Sequence, residues 1–332
     1  MCAVVQTGYG RPRDVLHEQR VAIPTLAPDR LLVAVHAAGV DRGVWHITVG
    51  EPRAARLAFG LRRPRTRPGF DFSGTIVATG SKVDGFSLGD EVFGTTRGSF
   101  GAYALVDPRK CAPKPPAQPF AAAGALAVSG LTALHAVRNH GRVRAGQRVL
   151  VVGASGGVGS FAVQIAKHFG ATVTAIASAA KLEFVRSLGA DVVVEYESSS
   201  IADHGRHDVI IDIGGCRRRS ELRRALVPGG TIVFVGGERG ERWLGVRRQI
   251  GAALCSPFSR NRYVMFVSSE NATDMRVLAD LVTAGEIRTA VDRVHPLANV
   301  VDALERLERG AVRGKDVIEV TGSTPGEPAA HD

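Results

Sequence analysis

The sequence predicts an α/β protein in which a doubly wound parallel sheet is joined to a separate β-rich domain. Three observations carry this. From about residue 121 onward, short apolar runs alternate with helical patterns, which specifies parallel strands linked by right-handed crossovers. One such run, Arg148-Val-Leu-Val-Val, opens into the glycine turn Gly153-Ala-Ser-Gly-Gly-Val-Gly159 and then a helix-forming stretch from Phe161. The first 115 or so residues carry short apolar runs punctuated by glycine and proline, as a compact β domain does.

In the N-terminal part, strands are expected at Leu31–His36, Gly74–Gly80 and Glu91–Gly94. Between the first two lies Glu51–Pro68, with six arginines and three prolines, expected as a mobile surface excursion. Pro113-Lys-Pro-Pro reads as a stiff connector. Phe120–Val137 has no Asp, Glu, Lys or Arg, but it is mostly alanine and contains Gly124, Ser129, Gly130, Thr132 and His135. That predicts a buried, tightly packed helix rather than a membrane span.

Further strands are expected at 148–153, 172–177, 191–194, 208–213, 231–235 and 263–268. Lys181–Gly189 sets Leu182, Val185 and Leu188 on one helical face and stops at a glycine. The connection Glu238–Arg262 is longer, contains Trp243 and Phe258, and reads as a substrate lid or an oligomer contact. An amphipathic helix ending at Leu307 and a strand near Asp316–Val320 follow, then a polar tail, Gly322–Asp332, expected to be disordered.

A chain of 332 residues suggests two domains at about 150 residues each. Its 45% hydrophobic and 22% charged residues suit a globular protein with an ample core. The net charge of +10 raises the question of an anionic partner. Its arginines, however, fall in short clusters (Arg53–Arg67, Arg217–Arg224, Arg239–Arg248) without interleaved aromatics, so no nucleic-acid partner is expected. Cys2, Cys111, Cys216 and Cys255 form no C-x-x-C pair and the N-terminus has no signal-peptide pattern, which points to a reducing cytosol.

The glycine turn carries chemistry. Gly153 can turn the chain off the strand, and Gly156 leaves no Cβ between backbone and a pyrophosphate. Gly159 lets the helix pack close to the sheet, with its N-terminal N–H groups facing phosphate. The strand–turn–helix–strand order over about thirty residues makes this a nucleotide site rather than a structural turn.

With these parts in order, the chain resembles the medium-chain dehydrogenase/reductase superfamily, specifically its zinc-independent quinone oxidoreductase-like branch. The resemblance rests on Gly39-Val-Asp-Arg-Gly-Val-Trp45, Pro68-Gly-Phe-Asp-Phe-Ser-Gly74, Gly89-Asp-Glu-Val92, Ala127-Val-Ser-Gly-Leu-Thr-Ala133, the glycine turn, Arg186-Ser-Leu-Gly-Ala-Asp191 and Gly314-Lys315. It implies a GroES-like catalytic domain from 1–120 and 288–325, a Rossmann NADP-binding domain over 121–287, and a disordered tail over 326–332. The cofactor would lie in the cleft between the domains. A homodimer is expected, because the family often joins its Rossmann sheets.

Related alcohol dehydrogenases hold a catalytic zinc with a cysteine near position 40 and a His-Glu pair in the segment that begins at Pro68. Here Val40-Asp41 and Phe70-Asp71 stand instead, the four clustered cysteines of a structural zinc lobe are missing, and no metal is expected. An NAD enzyme places an acid about twenty residues past the glycines to bind the ribose. Ala175–Lys181 offers none. Ser178 can donate a hydrogen bond and Lys181 supplies the charge that a 2′-phosphate wants, although a helix cap and a solvated lysine are the plainer readings. Tyr196 matches a tyrosine that touches this phosphate in similar reductases, so NADPH is the expected cofactor. The resemblance further implies Thr132, Gly236 and Gly237 at the nicotinamide end and Asp212 and Gly214 beside the ribose. Ser155, Gly157, Val158 and Lys315 join the remaining cofactor contacts.

Hydride transfer to a quinone or an α,β-unsaturated carbonyl needs an apolar slot that excludes water. Asp41, Trp45 and His46 are the candidates in the pocket-forming segment. Trp45 would form a wall, and His46 would deliver a proton or simply pack. The family commonly has asparagine where Asp41 stands; a carboxylate there changes the pocket's polarity or caps the next turn. Two other functions stay open. One is a non-catalytic NADPH-binding protein that acts through a partner contact at Glu51–Pro68 or 238–262. The other is a zinc-type alcohol dehydrogenase, which the missing ligands disfavour.

Overall fold

Strands rich in Val, Ala and Phe build the N-terminal part of the chain. In the computed structural model, which describes residues 1–197, 201–215, 217–236 and 260–320, β1 (Cys2–Gln6) and β2 (Leu16–Arg20) form an antiparallel pair. A larger sheet contains β3 (Leu31–Gly39), β4 (Asp71–Thr79), β5 (Glu91–Thr95), β6 (Tyr103–Val106) and β7 (Cys111–Pro113). The alternating strands of the second half are β8 (Arg148–Val152), β9 (Thr172–Ala177), β10 (Val192–Glu195), β11 (His207–Asp212), β12 (Leu226–Phe234) and β13 (Arg262–Met265). Near the chain end, β14 (Val291–Pro296) and β15 (Lys315–Glu319) return to the first sheet, ordered β14-β15-β3-β4-β5-β7, with β6 also paired to β3. Val317 faces Gly39 across the antiparallel β15–β3 ladder.

The second sheet is parallel throughout, ordered β10-β9-β8-β11-β12-β13. This is the strand order of dinucleotide-binding folds, and its direction reverses between β8 and β11, where such sheets open a crevice beyond the strand ends. Strands buried on both faces read as continuous apolar runs, and Val149–Val152 is fully covered.

Seven helices matter for the site. They are α1 (Arg42–Val49), α2 (Ala127–Leu134), α3 (Gly157–His168), α4 (Leu182–Arg186), α5 (Arg219–Arg224), α6 (Ala272–Thr283) and α7 (Val300–Glu308). Leu131, Leu134, Phe161, Ile165 and Leu278 pack on one face of the parallel sheet, with Ile210, Leu222, Ile232 and Phe234 on the other. The β-rich part has its own core around Leu31, Val35, Phe72, Phe100 and Ile318. Each such side chain contributes about 1.5–3 kcal/mol by leaving water.

Two expectations need correction. Phe120–Val137 is not one helix: a turn at Phe120–Ala123 breaks before α2, and His135–Gly141 is π-helical. The break falls where the backbone crosses β3, because a Cβ on Gly124 would lie 2.7 Å from the Ala37 carbonyl oxygen. The Glu51–Pro68 excursion is also partly anchored. Arg53–Ala55 and Arg56–Phe59 form helical turns. The Arg56 guanidinium stacks 4.5 Å over the Tyr9 ring and its Nε donates to the Gly50 carbonyl at 2.9 Å. Arginine has both a planar face for stacking and donors at its rim, so this basic stretch holds itself down. Most of the predicted lid or contact at 238–262 and the whole tail lie outside the described residues.

Candidate active site

A cavity of about 860 Å³ opens between the two sheets. Its walls come from three stretches of chain: Asp41, Arg42, His46, Phe59 and Phe70 from the N-terminal part, Thr132, Gly157, Val158, Ile213 and Gly236 from the parallel-sheet part, and Leu307, Gly314 and Lys315 from the chain end.

Gly157 and Val158 of the glycine turn form part of its wall. Gly153 sits at φ +86°, which a Cβ disfavours, and its Cα packs on Gly214 beyond the end of β11. A Cβ on Gly159 would collide with the Gly153 carbonyl oxygen, so only glycine lets the first turn of α3 close onto β8. A Cβ on Gly156 meets nothing nearer than 3.8 Å. That open ground, at the N-terminus of a twelve-residue helix, fits a pyrophosphate. Ser155 closes the turn from another side by accepting a 2.9 Å hydrogen bond from Gly314 N. Thr132 lines the cavity, with its hydroxyl donating to Val128 O at 2.7 Å. Asp212 is buried, and its carboxylate accepts from Gly215 N at 3.2 Å, shaping the loop that carries Gly214. Gly236 lines the cavity; Gly237 lies outside the described residues.

Ser178 and Tyr196 follow the ends of the neighbouring strands β9 and β10, where Tyr196 N donates to Ala177 O at 2.8 Å. Ser178 is exposed there. Lys181 is half-buried, and Nζ donates to the carbonyls of Gly310 (2.6 Å) and Val312 (2.7 Å). Burial lowers its pKa from the usual lysine range. An ammonium has three donors, so one remains. The sequence reading passed over Arg217, whose guanidinium stacks 4.5 Å from the Tyr196 ring, donates to the Tyr196 carbonyl and pairs with Glu221 at 2.8 Å. Only the pairing of β9 with β10 and the return of β11 bring it there.

Three charged side chains converge at the cavity, Asp41 and Lys315 in its wall and Asp71 fully buried beside Lys315. Lys315 (2% exposed side chain) lies 3.0 Å from Asp71 Oδ2 (0%), and Asp71 Oδ1 accepts from Val128 N at 2.6 Å. Lys315 lies against the glycine turn, since a Cβ on Gly157 would meet its Cδ at 2.8 Å. Asp41 caps α1, its Oδ1 accepting from Val44 N at 3.0 Å. Among the described residues its buried Oδ2 has no hydrogen-bond partner. Burial, opposed by Lys315 and reinforced by Asp71, pushes the Asp41 carboxyl up to about 6. Burial also pushes Asp71 upward, against the pull of Lys315. In the sequence Asp71 is one residue of the Pro68–Gly74 motif; its ion pair forms because the fold brings Lys315, 244 positions later, beside it.

His46 also lines the cavity, with Nδ1 2.9 Å from Glu51 O. Trp45 does not come to the cavity wall as expected: it packs against the β-domain core, with Arg42 over its ring at 5.4 Å. Helical geometry explains this, because residues one apart point to different faces. Phe59 is an aromatic wall residue that sequence reasoning did not name. Among the described residues no group of three or more His, Cys, Asp and Glu is arranged to hold a metal, and no helix is long and apolar enough to cross a membrane. His135, for instance, is engaged by Ser268 and Asp274 at 2.9 and 2.8 Å.

Comparison with known proteins agrees with this architecture. Residues 27–116 match the alcohol dehydrogenase GroES-like domain and residues 188–318 the zinc-binding dehydrogenase family. A chloroplastic quinone-oxidoreductase homolog from Spinacia oleracea is 30% identical, over 96% of this chain and 98% of its own length. An NADPH-dependent alkenal/one oxidoreductase from Arabidopsis thaliana is 31% identical, over 96% of this chain and 79% of its own. The quinone oxidoreductase structure from Coxiella burnetii superposes with a TM-score of 0.84 at 28% identity, covering 96% of this chain and 99% of that one. The chain therefore belongs to the medium-chain dehydrogenase/reductase superfamily, in its quinone-oxidoreductase-like branch, and is an oxidoreductase.

Proposed function

We propose that the protein is an NADPH-dependent, metal-independent reductase of quinones or α,β-unsaturated carbonyls. The observation that carries this reading is the glycine cradle at 153–159, whose Gly157 and Val158 line the same cavity as Asp41, Thr132 and Lys315. A bound reduced nicotinamide would supply two electrons as hydride. The chain's part is to hold it and to exclude water. Gly156 and the N-terminus of α3 take the pyrophosphate, Gly153, Asp212 and Gly214 shape the ribose side, and Thr132 and Gly236 border the nicotinamide end. Ser178, the remaining donor of Lys181, Tyr196 and the neighbouring Arg217 suit a 2′-phosphate, which favours NADPH. Phe59, Phe70, Ile213 and Leu307 give the acceptor apolar walls.

Metal independence is supported by the donor set. Asp41 replaces the cysteine, and Asp71 already accepts from Lys315 and Val128. A cytosolic homodimer fits the same reading, with β13 at the edge of the parallel sheet and Met265 exposed beside it. The test is a steady-state comparison of NADPH and NADH oxidation with a panel of quinones and enones. Tight NADPH binding without turnover of any acceptor would overturn the proposal.

A further inference from the structure

Asp41, Asp71 and Lys315 form a buried group in which one ammonium faces two carboxyls. If both carboxyls were ionised, the group would carry an uncompensated negative charge away from water, which proteins avoid by keeping a proton. The hydrogen bonds decide which carboxyl keeps it. Both oxygens of Asp71 already accept, one from the Val128 amide and one from Lys315. Asp41 accepts at Oδ1, while its buried Oδ2 has no hydrogen-bond partner among the described residues, and Asp41 itself lines the cavity. The other charged or titratable groups lining the cavity are Arg42 and His46 on α1, Arg97 just after β5, and Arg30 paired with Asp107 at 3.2 Å. Lys110 and Glu270 also line the cavity but pair with each other at 2.7 Å.

We infer that Asp41 is held as a neutral acid by its burial beside the Asp71 carboxylate, against the pull of Lys315, and that its Oδ2–H donates the proton that completes reduction of an enone acceptor in the cavity. The upward displacement of its proton affinity agrees with this assignment. The inference rests on the reductase reading above. The acceptor gains at its β-carbon the hydride that a bound reduced nicotinamide would supply, and the Asp41 O–H bond breaks as a C–H bond forms at the α-carbon. The carboxylate left at Asp41 then takes a proton from water at the cavity mouth. Asp71 is the positioning residue that keeps the proton on Asp41, and Lys315 acts through Asp71 by favouring its ionised form.

The experiment compares wild type with Asp41→Asn and Asp41→Glu in two readouts. Infrared difference titration of the protein without cofactor or acceptor is expected to show a protonated carboxyl band that disappears near pH 6 and is absent from Asp41→Asn. In enone reduction with NADPH, Asp41→Asn should bind cofactor normally and lose about 10²–10⁴-fold in kcat. The wild-type decline in rate toward alkaline pH should also vanish, and Asp41→Glu should restore part of the rate. A melting curve confirms folding; if Asp41→Asn does not fold, Asp41→Ser takes its place in both readouts. Asp41→Asn turnover within threefold of wild type with an unchanged pH profile would overturn the role of Asp41 alone, as would a carboxyl band that survives the substitution. Absence of enone and quinone turnover in wild type would overturn the reductase reading along with it.

Discussion

The glycine turn and the Asp41–Asp71–Lys315 group both contribute to the wall of one cavity, through Gly157 and Val158 of the first and Asp41 and Lys315 of the second, yet they are built in opposite ways. The turn is seven consecutive residues whose work is done by backbone and by absent side chains. The charged group comes from three segments, the last 244 positions from its partner, and its work is done by electrostatics inside the protein. A local backbone device tolerates change around it, whereas a buried charge group depends on every member. Breaking one member leaves the others uncompensated.

The largest expected effect comes from Lys315→Met. It removes the one cation from the group and should destabilise the fold by about 3–5 kcal/mol, measured by denaturant unfolding. Asp71→Asn placed on top of it should recover part of that loss. Recovery of nothing would mean that the lysine stem packed on Gly157, rather than the charge, is what matters.

Next is a pH window. The Asp41 carboxyl is raised in the folded chain from 3.8 to about 6. Its contribution to stability is therefore full below about pH 4 and is lost as pH rises through 6, because the unfolded chain releases this proton first. The loss amounts to about 3 kcal/mol at 1.36 kcal/mol per unit. Relative to wild type, Asp41→Asn should gain that much between pH 4 and pH 7. Parallel stability curves for the two proteins would contradict the assignment.

The turn predicts a contrast between two glycines. Gly159→Val drives a Cβ into the Gly153 carbonyl and should cost about 1–3 kcal/mol of stability. Gly156→Val projects into open space, so the melting temperature should hold while NADPH affinity, read by fluorescence titration, collapses. The smallest effect belongs to Lys181→Met, which should weaken NADPH about tenfold, or about 1.4 kcal/mol, and leave NADH unchanged. Equal weakening of both cofactors would assign Lys181 to the Gly310 and Val312 carbonyls alone.

The same division explains what could be read early. Strands such as Arg148–Val152 and the glycine spacing were legible because their signals are local: apolar continuity, a turn that needs φ > 0, and a helix that begins at once. The break at Gly124 was not, because it answers to β3 passing beneath. Trp45 and Arg217 were misjudged or missed for a related reason. Spacing along one helix or loop says which residues are neighbours in the chain, and says little about which wall they end up facing.

By itself, then, the sequence specified a β-rich part, a parallel dinucleotide-type sheet and the strand–turn–helix around residues 148–168, since backbone conformation and periodic burial are written into consecutive residues. Tertiary structure alone decided that Lys315 returns to Asp71, that Asp41 is left with a bare buried oxygen, and that Arg217 stacks on Tyr196. Proton affinity inside a protein depends on which charges and donors share the dry space around a group, and that is fixed only when distant segments fold together.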